Sequence, residues 1–415
     1  MNSALAALIG LILAIILIIR KVPPVFALML GALTGGLLSG WGMTVTVGEM
    51  ISGVKDITPA IVRILAAGVL TGALVVTGAA ESISSAILRR LGPKRIYLAL
   101  ALAAMLLCAT GVFIDVAVIT IAPIALMLGS RSGAPLPKLM IAMIGGGKCG
   151  NIISPNPNTI VAAENFGAPL QSVMLANLIP ALIGLAVTVW LIIPLVPGGK
   201  GVEVKASAGD KGKDLPSFWA SVAGPLLAVA LLALRPIFGI SIDPLVALPA
   251  GGLFCLLVTG RWRVTMESLR YGLEKMSPVA VLLVGTGTIA GIIKASAIKD
   301  ILVGMLAGWG AGGELLAPVA GILMCAATAS TTAGSTIASA SFSGAILGSG
   351  MSSVGGASLV NASCTVLDHL PHGSFFHATG GCAGMSVAER MKLIPFETLV
   401  GLSLTICSFL IQHFF

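Results

Sequence analysis

Charge is what this sequence has least of. Among 415 residues, 24 are Lys or Arg and 16 are Asp or Glu, ten per cent in all, where a soluble globular chain carries about 25%. Water is therefore excluded as the main solvent, and a 57% share of hydrophobic residues fills the difference. Histidine is scarce at four, and the seven cysteines are odd in number, scattered, and set mostly in apolar segments. They read as small packing residues and exclude a disulfide framework or a zinc site. The run DHLPHGSFFH brings His369, His372 and His377 close together. Its Pro and Gly break any i, i+4 face and no cysteine assists, so no metal is expected there. GGGKCGN lacks the G-x-x-x-x-G-K-[ST] spacing of a phosphate-binding loop, and no strand precedes it. No charged n-region precedes the first apolar run, 3–19, and no small-residue cleavage site follows it, so it reads as a span and not a signal peptide. The net charge of +8 would suggest nucleic acid in a soluble protein. Here it is first a topology signal, and no nucleic-acid partner is expected.

What the sequence has in plenty is apolar runs of about 17–25 residues, the length that crosses a hydrocarbon core of about 30 Å. It also repeats itself. TVGEMISGVKDITPAIVRILAAGVLTGALVVTGAAES, from Thr46, aligns with TMESLRYGLEKMSPVAVLLVGTGTIAGIIKASAIKD, from Thr265. At a constant offset of 219, Gly53 meets Gly272, Pro59 meets Pro278, Gly68 meets Gly287, Gly72 meets Gly291 and Glu81 meets Asp300. With small indels, Cys108 falls near Cys325 and the broken stretch at Pro155 matches that at Pro371. The expected architecture is an all-α polytopic membrane protein of two repeats, 1–196 and 218–415, joined by a polar cytoplasmic linker at 197–217. Each repeat reads as three spans, a re-entrant hairpin, a discontinuous span and a final span. In the first copy these are 3–19, 23–40, 57–78, hairpin 96–130, 137–166 and 171–196. Five crossings is an odd number, so the second copy is expected to be inverted relative to the first.

Charge placement fixes the expected orientation. With both termini outside, Arg20, Lys21, Arg89, Arg90, Lys94, Arg95, Arg131, Lys138, Lys200, Lys205, Lys211, Lys213, Arg261, Arg263, Arg270, Lys275, Arg390 and Lys392 are cytoplasmic, 18 of the 24 Lys and Arg. That excess is the positive-inside pattern of a cytoplasmic (inner) membrane protein. It predicts that hairpin 96–130 opens to the cytoplasm and its counterpart, 314–347, to the outside. Trp41, Tyr97, Trp219, Trp262, Tyr271 and Trp309 fall near predicted span ends, as interfacial aromatics do.

Unpaired backbone at membrane depth survives only inside protein or beside a watery cavity. Four segments promise such breaks: Ala109 to Val118, Gly145 to Thr159, Ala327 to Thr336 and Ser363 to His377. Half-helix N-termini at breaks suit a carboxylate. The expected substrate contacts are Phe113, Asp115, Lys148, Asn151, Ser154, Asn156, Asn158 and Thr159 in the first copy, with Ser330, Thr331, Thr332, Ser335, His369, His372 and Ser374 in the second. The same small and polar residues would also serve simply to let helices approach and bond across one another. Asp115 is expected to carry a coupled proton or to orient substrate. Lys148 would answer an anionic substrate or pair internally with Asp115 or Glu164. Asp368 would form a proton-accepting pair with His369 or His372, while Arg63 and Glu81 read as structural or interfacial.

At these clusters the sequence resembles the gluconate permease family of proton symporters, within a wider ion transporter superfamily. CATGVFIDVAVITIAPIALML is similar to that family's first hairpin, CAATASTTAGSTIASASFSGAIL to the second, and NIISPNPNTIVAAENFG and LDHLPHGSFF to its two breaks. Where the superfamily's tips carry Ser-Asn-Thr, the second copy has Ser330-Thr331-Thr332 and the first has Phe113-Ile114-Asp115, a departure that favours a protonatable group over sodium. The resemblance implies a homodimer with an elevator motion and no cofactor beyond the coupling ion. It also implies proton-coupled symport of a small anionic hydroxycarboxylate or sugar acid, gluconate-like or a short acid such as 3-hydroxybutyrate or glycerate. A sodium-coupled di- or tricarboxylate carrier is the alternative, with a passive channel or an intramembrane enzyme more remote. Inverted, duplicated discontinuities have no purpose in a catalytic site, so no enzyme is expected.

Overall fold

A chain this apolar must satisfy its backbone groups within each segment, and a helix does so. The computed structural model describes residues 3–92, 95–198, 214–296, 315–371 and 373–414, and among these the chain is helical throughout, without a strand. The first half contains α1 (Ser3–Ile19), α2 (Pro24–Leu38), α3 (Met43–Val76), α4 (Ala79–Leu91), α5 (Ile96–Ala109), α6 (Ile114–Ser132), α7 (Leu136–Asn151) and α8 (Pro157–Asn165). It closes with α9 (Leu170–Ala176), α10 (Leu178–Val187) and α11 (Ile193–Leu195). The second half contains α12 (Phe218–Phe238), α13 (Pro244–Val258), α14 (Thr265–Ala295), α15 (Leu316–Thr328) and α16 (Thr331–Gly348). It ends with α17 (Ser353–Ser363), α18 (Ser374–Cys382), α19 (Val387–Met391) and α20 (Ile394–Phe414). Most of the linker, and Lys94, Lys299, Asp300, Trp309 and His372, lie outside the described residues.

Among the described residues, four helical stretches are long and apolar enough to cross a membrane: Met43–Val76, Leu170–Leu195, Trp262–Ala295 and Val387–Phe414. The expected spans at 3–19 and 23–40 are apolar helices of 17 and 15 residues, about 22–26 Å long at 1.5 Å per residue. The span expected at 57–78 begins earlier, at Met43, within a 34-residue helix about 51 Å long. Its early part carries Glu49, Lys55 and Asp56, which reads as a loop from composition. The helix persists because its small residues face α14 and Asp56 meets Lys294 in an ion pair at 2.7 Å.

The α3–α14 contact is made by glycine backbone. A Cβ on Gly53 would lie 2.7 Å from the Gly291 Cα and overlap the Gly287 carbonyl, and one on Gly72 would overlap the Ser268 carbonyl. Gly68 and Gly272 exclude a side chain from each other in the same way. Early residues of α3 thus meet late residues of α14, which makes the pair antiparallel. Small residues that let backbones touch are the usual means of packing helices where burial from water drives nothing.

α4 is an element the sequence reading passed over. It starts after Gly78, whose φ of +73° suits glycine, and ends with Arg89 and Arg90, which complement the helix C-terminus. Ser82 Oγ donates to the Pro216 carbonyl at 2.6 Å, which ties the helix to the end of the linker.

The hairpins turn where expected but more tightly: Thr110–Phe113 joins α5 to α6, and Ala329–Ser330 joins α15 to α16. Ala329 takes a φ of +46° and Ser330 caps α16 by accepting from the Ala333 N–H. The arms that lead into the tips, α5 and α15, have 14 and 13 residues, about 20 Å, and those that lead out, α6 and α16, have 19 and 18, about 27–29 Å. The discontinuous helices break at 152–156 and 364–373. The expected break over Gly145–Asn151 is absent, because these residues continue α7. Its glycines serve packing: Cβ atoms at Gly146 and Gly150 would overlap the carbonyls of Ala101 and Met105 on α5.

Candidate functional site

A cavity of about 630 Å³ opens where both hairpin tips meet the start of α2 and the first half of α14. Phe113–Val116 line it at the start of α6, Ser330–Ala333 at the start of α16, and Ser374 and Phe375 at the start of α18. Three helices therefore direct their N-termini at one volume, because hairpin turns and a chain break all end there. Each N-terminus leaves backbone N–H groups unused and a partial positive charge. Asp115 faces the cavity from the first turn of α6, with its Oδ1 accepting from the Val116 N–H at 2.9 Å. Asn151, Asp368 and Lys275 complete the polar lining. Lys275 also lies over the Tyr271 ring, 5.4 Å from its centroid.

Of the expected contact residues, Phe113, Asp115, Asn151, Ser330, Thr331, Thr332 and Ser374 share this cavity. His372 lies outside the described residues, and the other described ones are placed elsewhere. Asn158 Nδ2 donates to Asn361 Oδ1 at 2.7 Å, Ser335 Oγ donates to the Asn158 carbonyl, and Thr159 Oγ1 accepts from Asn361. Asn156 donates to Asn151. These groups bolt the first break to α16 and α17, while Ser154 is buried with no hydrogen-bond partner.

Lys148 does not meet Asp115 or Glu164. Fully buried, it pairs with Asp368 at 2.6 Å, and Glu164 pairs instead with Arg63, whose other partner is Asp243 at 2.7 Å. Asp368 stands between cavity and interior. Its Oδ2 accepts from Thr331 Oγ1 at 2.7 Å, and its Oδ1 accepts from Lys148 and faces His369 Nδ1 at 3.1 Å. His369 is buried, with Nε2 3.1 Å from both the Ile394 carbonyl and Thr398 Oγ1. A carbonyl only accepts, so the neutral ring carries its proton on Nε2 and leaves Nδ1 to accept from Lys148 at 2.9 Å. A second proton on Nδ1 would turn that contact toward Asp368. His377, on the exposed side, has Nε2 2.8 Å from the Pro371 carbonyl.

Beyond His369 lie two residues the sequence reading missed. Glu397 is buried 3.9 Å from His369 and paired with Arg390, which is itself 1% exposed. Arg390 had been placed among the cytoplasmic charges. The structure buries it, because Glu397, Thr379 and the Phe376 ring, 5.1 Å away, together take up its charge and donors. Two cations and two carboxylates, Lys148, Arg390, Asp368 and Glu397, thus balance inside the protein, as buried charges must. Arg390 and Glu397 are seven positions apart, but they belong to different helices, α19 and α20, so no continuous helix face aligns them. Lys275, three residues ahead of Pro278, was visible but counted only as a topology signal.

These features describe a helical membrane protein with a polar cavity between hairpin tips, and the comparisons give it a permease family. A family model described as GntP family permease matches residues 3–414, and the chain belongs to that family. A Haemophilus influenzae protein known as an uncharacterised transporter is 52% identical over 99% of this chain and 98% of its own length. The gluconate permease of Pseudomonas aeruginosa is 32% identical over 56% of this chain and 53% of its own length. The D-serine transporter DsdX of Escherichia coli is 23% identical over 78% of this chain and 79% of its own. The crystal structure of the Alcanivorax borkumensis YdaH transporter shares the fold, with a TM-score of 0.59 at 16% identity, covering 88% of this chain and 86% of that one. Family and apolar helices together make this an integral membrane protein.

Proposed function

We propose that the protein is a secondary active transporter that carries a small hydroxycarboxylate or sugar acid together with protons across the cytoplasmic membrane. The observation that carries this reading is the convergence of three helix N-termini, with Lys275, on one cavity. Helix N-termini favour a carboxylate and leave the hydroxyls of Ser330, Thr332 and Ser374 to meet those of the substrate. Asp115, on the cavity, and Asp368 with His369, behind it, are the groups available to take up a proton. Asp115 stands at a tip that offers no hydroxyl triplet for sodium.

The inverted repeat is part of the proposal. Its support is that the α3–α14 contacts exchange under the 219-residue offset: Gly53 on Gly291 becomes Gly272 on Gly72. For antiparallel helices, such an exchange implies a two-fold axis across them, hence copies of opposite orientation. A second cavity, of about 440 Å³, is lined by Asp56, Glu164, Gly291 and Lys294. It lies about 20 Å along α14 from Pro278, at 1.5 Å per residue. Asp56 is the repeat equivalent of Lys275, so matching positions face opposite cavities. In the orientation drawn from charge, the larger cavity opens to the cytoplasm and the termini lie outside. Sliding of the hairpins and broken helices against the α3–α14 scaffold, in a homodimer, would expose the site alternately.

Uptake of labelled gluconate, 3-hydroxybutyrate, glycerate and D-serine into proteoliposomes with imposed pH or sodium gradients tests the reading. Accumulation of at least one hydroxy acid should follow the pH gradient, and Asp115→Asn should reduce gradient-driven uptake more than substrate exchange. Accumulation that follows sodium and ignores protons would refute the coupling.

A further inference from the structure

The Lys148 ammonium lies in a ring of oxygens that would serve a free cation equally well. Its Nζ is 2.5 Å from the Thr365 carbonyl, 2.6 Å from Asp368 Oδ1 and 3.4 Å from the Glu397 carbonyl, with His369 Nδ1 at 2.9 Å. The Thr365 carbonyl is free because α17 ends at Ser363 and the chain breaks there. A helix C-terminus carries partial negative charge, and the carboxylate adds a full one. Carbonyls and a carboxylate around one unit of positive charge are the donor set of a hard cation. The ammonium's three N–H donors face four acceptors, so each donor has a partner. The cation reaches in from α7, in the first half of the chain, while every acceptor belongs to the second half.

We propose that Lys148 is a tethered cation: its ammonium fills a monovalent-cation site formed by the Thr365 and Glu397 carbonyls and Asp368, and shortening the side chain opens that site to sodium. A covalently held charge cannot leave, so no exchangeable metal cation is coupled to transport at this position. That consequence deepens the proton-coupled reading and leans on it, whereas the site itself stands on the geometry around Nζ. Alanine or serine at 148 would vacate space next to an uncompensated Asp368, and a sodium ion would restore the charge balance.

The test is thermal unfolding of purified wild type, Lys148→Ala, Lys148→Ser and the double variant Lys148→Ala/Asp368→Asn, in sodium chloride and in choline chloride at equal ionic strength. Raising sodium from about 1 to about 150 mM should lift the apparent Tm of both single variants by several degrees, since a ligand stabilises the state that binds it. Wild type should show no difference between the two salts, because its site is full. The double variant should show none either, because its site is neutral. Equal responses to choline and sodium in the single variants, a sodium-specific shift in wild type, or failure of both single variants to yield folded protein in about 150 mM sodium would each overturn the proposal. The readout requires no transport, so its failure is separate from failure of the uptake experiment.

Discussion

Replacing Arg390 by Met would show whether the buried charges act as a balanced set. The guanidinium is 1% exposed, bonds both Glu397 oxygens, donates twice to Thr379 Oγ1 at 3.1 and 3.3 Å, and faces the Phe376 ring. Methionine keeps most of the alkyl volume and removes the charge. Breaking a buried pair by deleting one partner costs about 3–5 kcal/mol, because the other charge is left without compensation. Loss of the cation–π contact adds about 1 kcal/mol. Glu397→Gln leaves an amide oxygen that still accepts from Arg390, so its cost is smaller, about 1.5–3 kcal/mol. The double variant removes both charges and keeps only the losses at Thr379 and Phe376, so it should be about 2–3 kcal/mol more stable than Arg390→Met alone. Unfolding followed by intrinsic fluorescence in nanodiscs would rank the four proteins by apparent Tm: wild type first, then the two with Glu397→Gln, and Arg390→Met last. If the two substitutions add, placing the double variant below Arg390→Met, the charges are not a set. If Arg390→Met changes stability by less than about 0.5 kcal/mol, Arg390 behaves as a surface residue and its burial is wrong.

Three other outcomes follow from the packing and the cavity. Gly272→Leu forces a side chain into the Gly68 backbone and should abolish recovery of monodisperse protein, whereas Gly344→Ala, whose Cβ meets no atom within 4 Å, should be tolerated; size-exclusion profiles separate the two. Lys275→Ala should raise the apparent KM for substrate uptake by about tenfold, worth about 1.4 kcal/mol, and Lys275→Arg should recover most of it. Equal loss of kcat in the alanine variant would assign Lys275 to structure. Asp243, at the start of α13, is held below the usual carboxylate range chiefly by its hydrogen bonds from Arg63. A carboxyl with a depressed folded-state value contributes stability above its unfolded value of about 4 and loses it as pH falls through the folded one. The Tm difference between wild type and Asp243→Asn should therefore be present at pH 6 and shrink as pH falls below about 4, and a difference that grows on acidification would contradict the pairing.

The order of elements was readable because lipid leaves so few options. Gly111 and Ser330 inside apolar runs had to mark turns, and prolines 155 and 371 had to mark breaks. Glycine misled where its two uses coincide: beside Lys148 it suggests an open loop, yet Gly146 and Gly150 are there so that α5 can lie against α7. α4 escaped notice because thirteen residues of mixed polarity resemble a connection. The cavity lining at the tips followed from local text, since a hairpin brings its own turn to the site. The partner of Lys148 did not, because Asp368 lies 220 positions away and only the packing of α7 against the second break joins them. Asn156, Asn158 and Ser335 carry the chemistry of substrate contacts and the burial of rivets, a distinction that composition cannot make.

The seam between α3 and α14 has a bearing on how the two halves of the proposed repeat would come to differ. Where main chain rests on main chain, a change of side chain on one strand of the text needs no answering change on the other. Asp56 and Lys275 hold equivalent places with opposite charge, and the crossing beneath them is undisturbed. In the proposed repeat, a joint of this kind would let one half specialise for the face it presents while the other keeps a different chemistry.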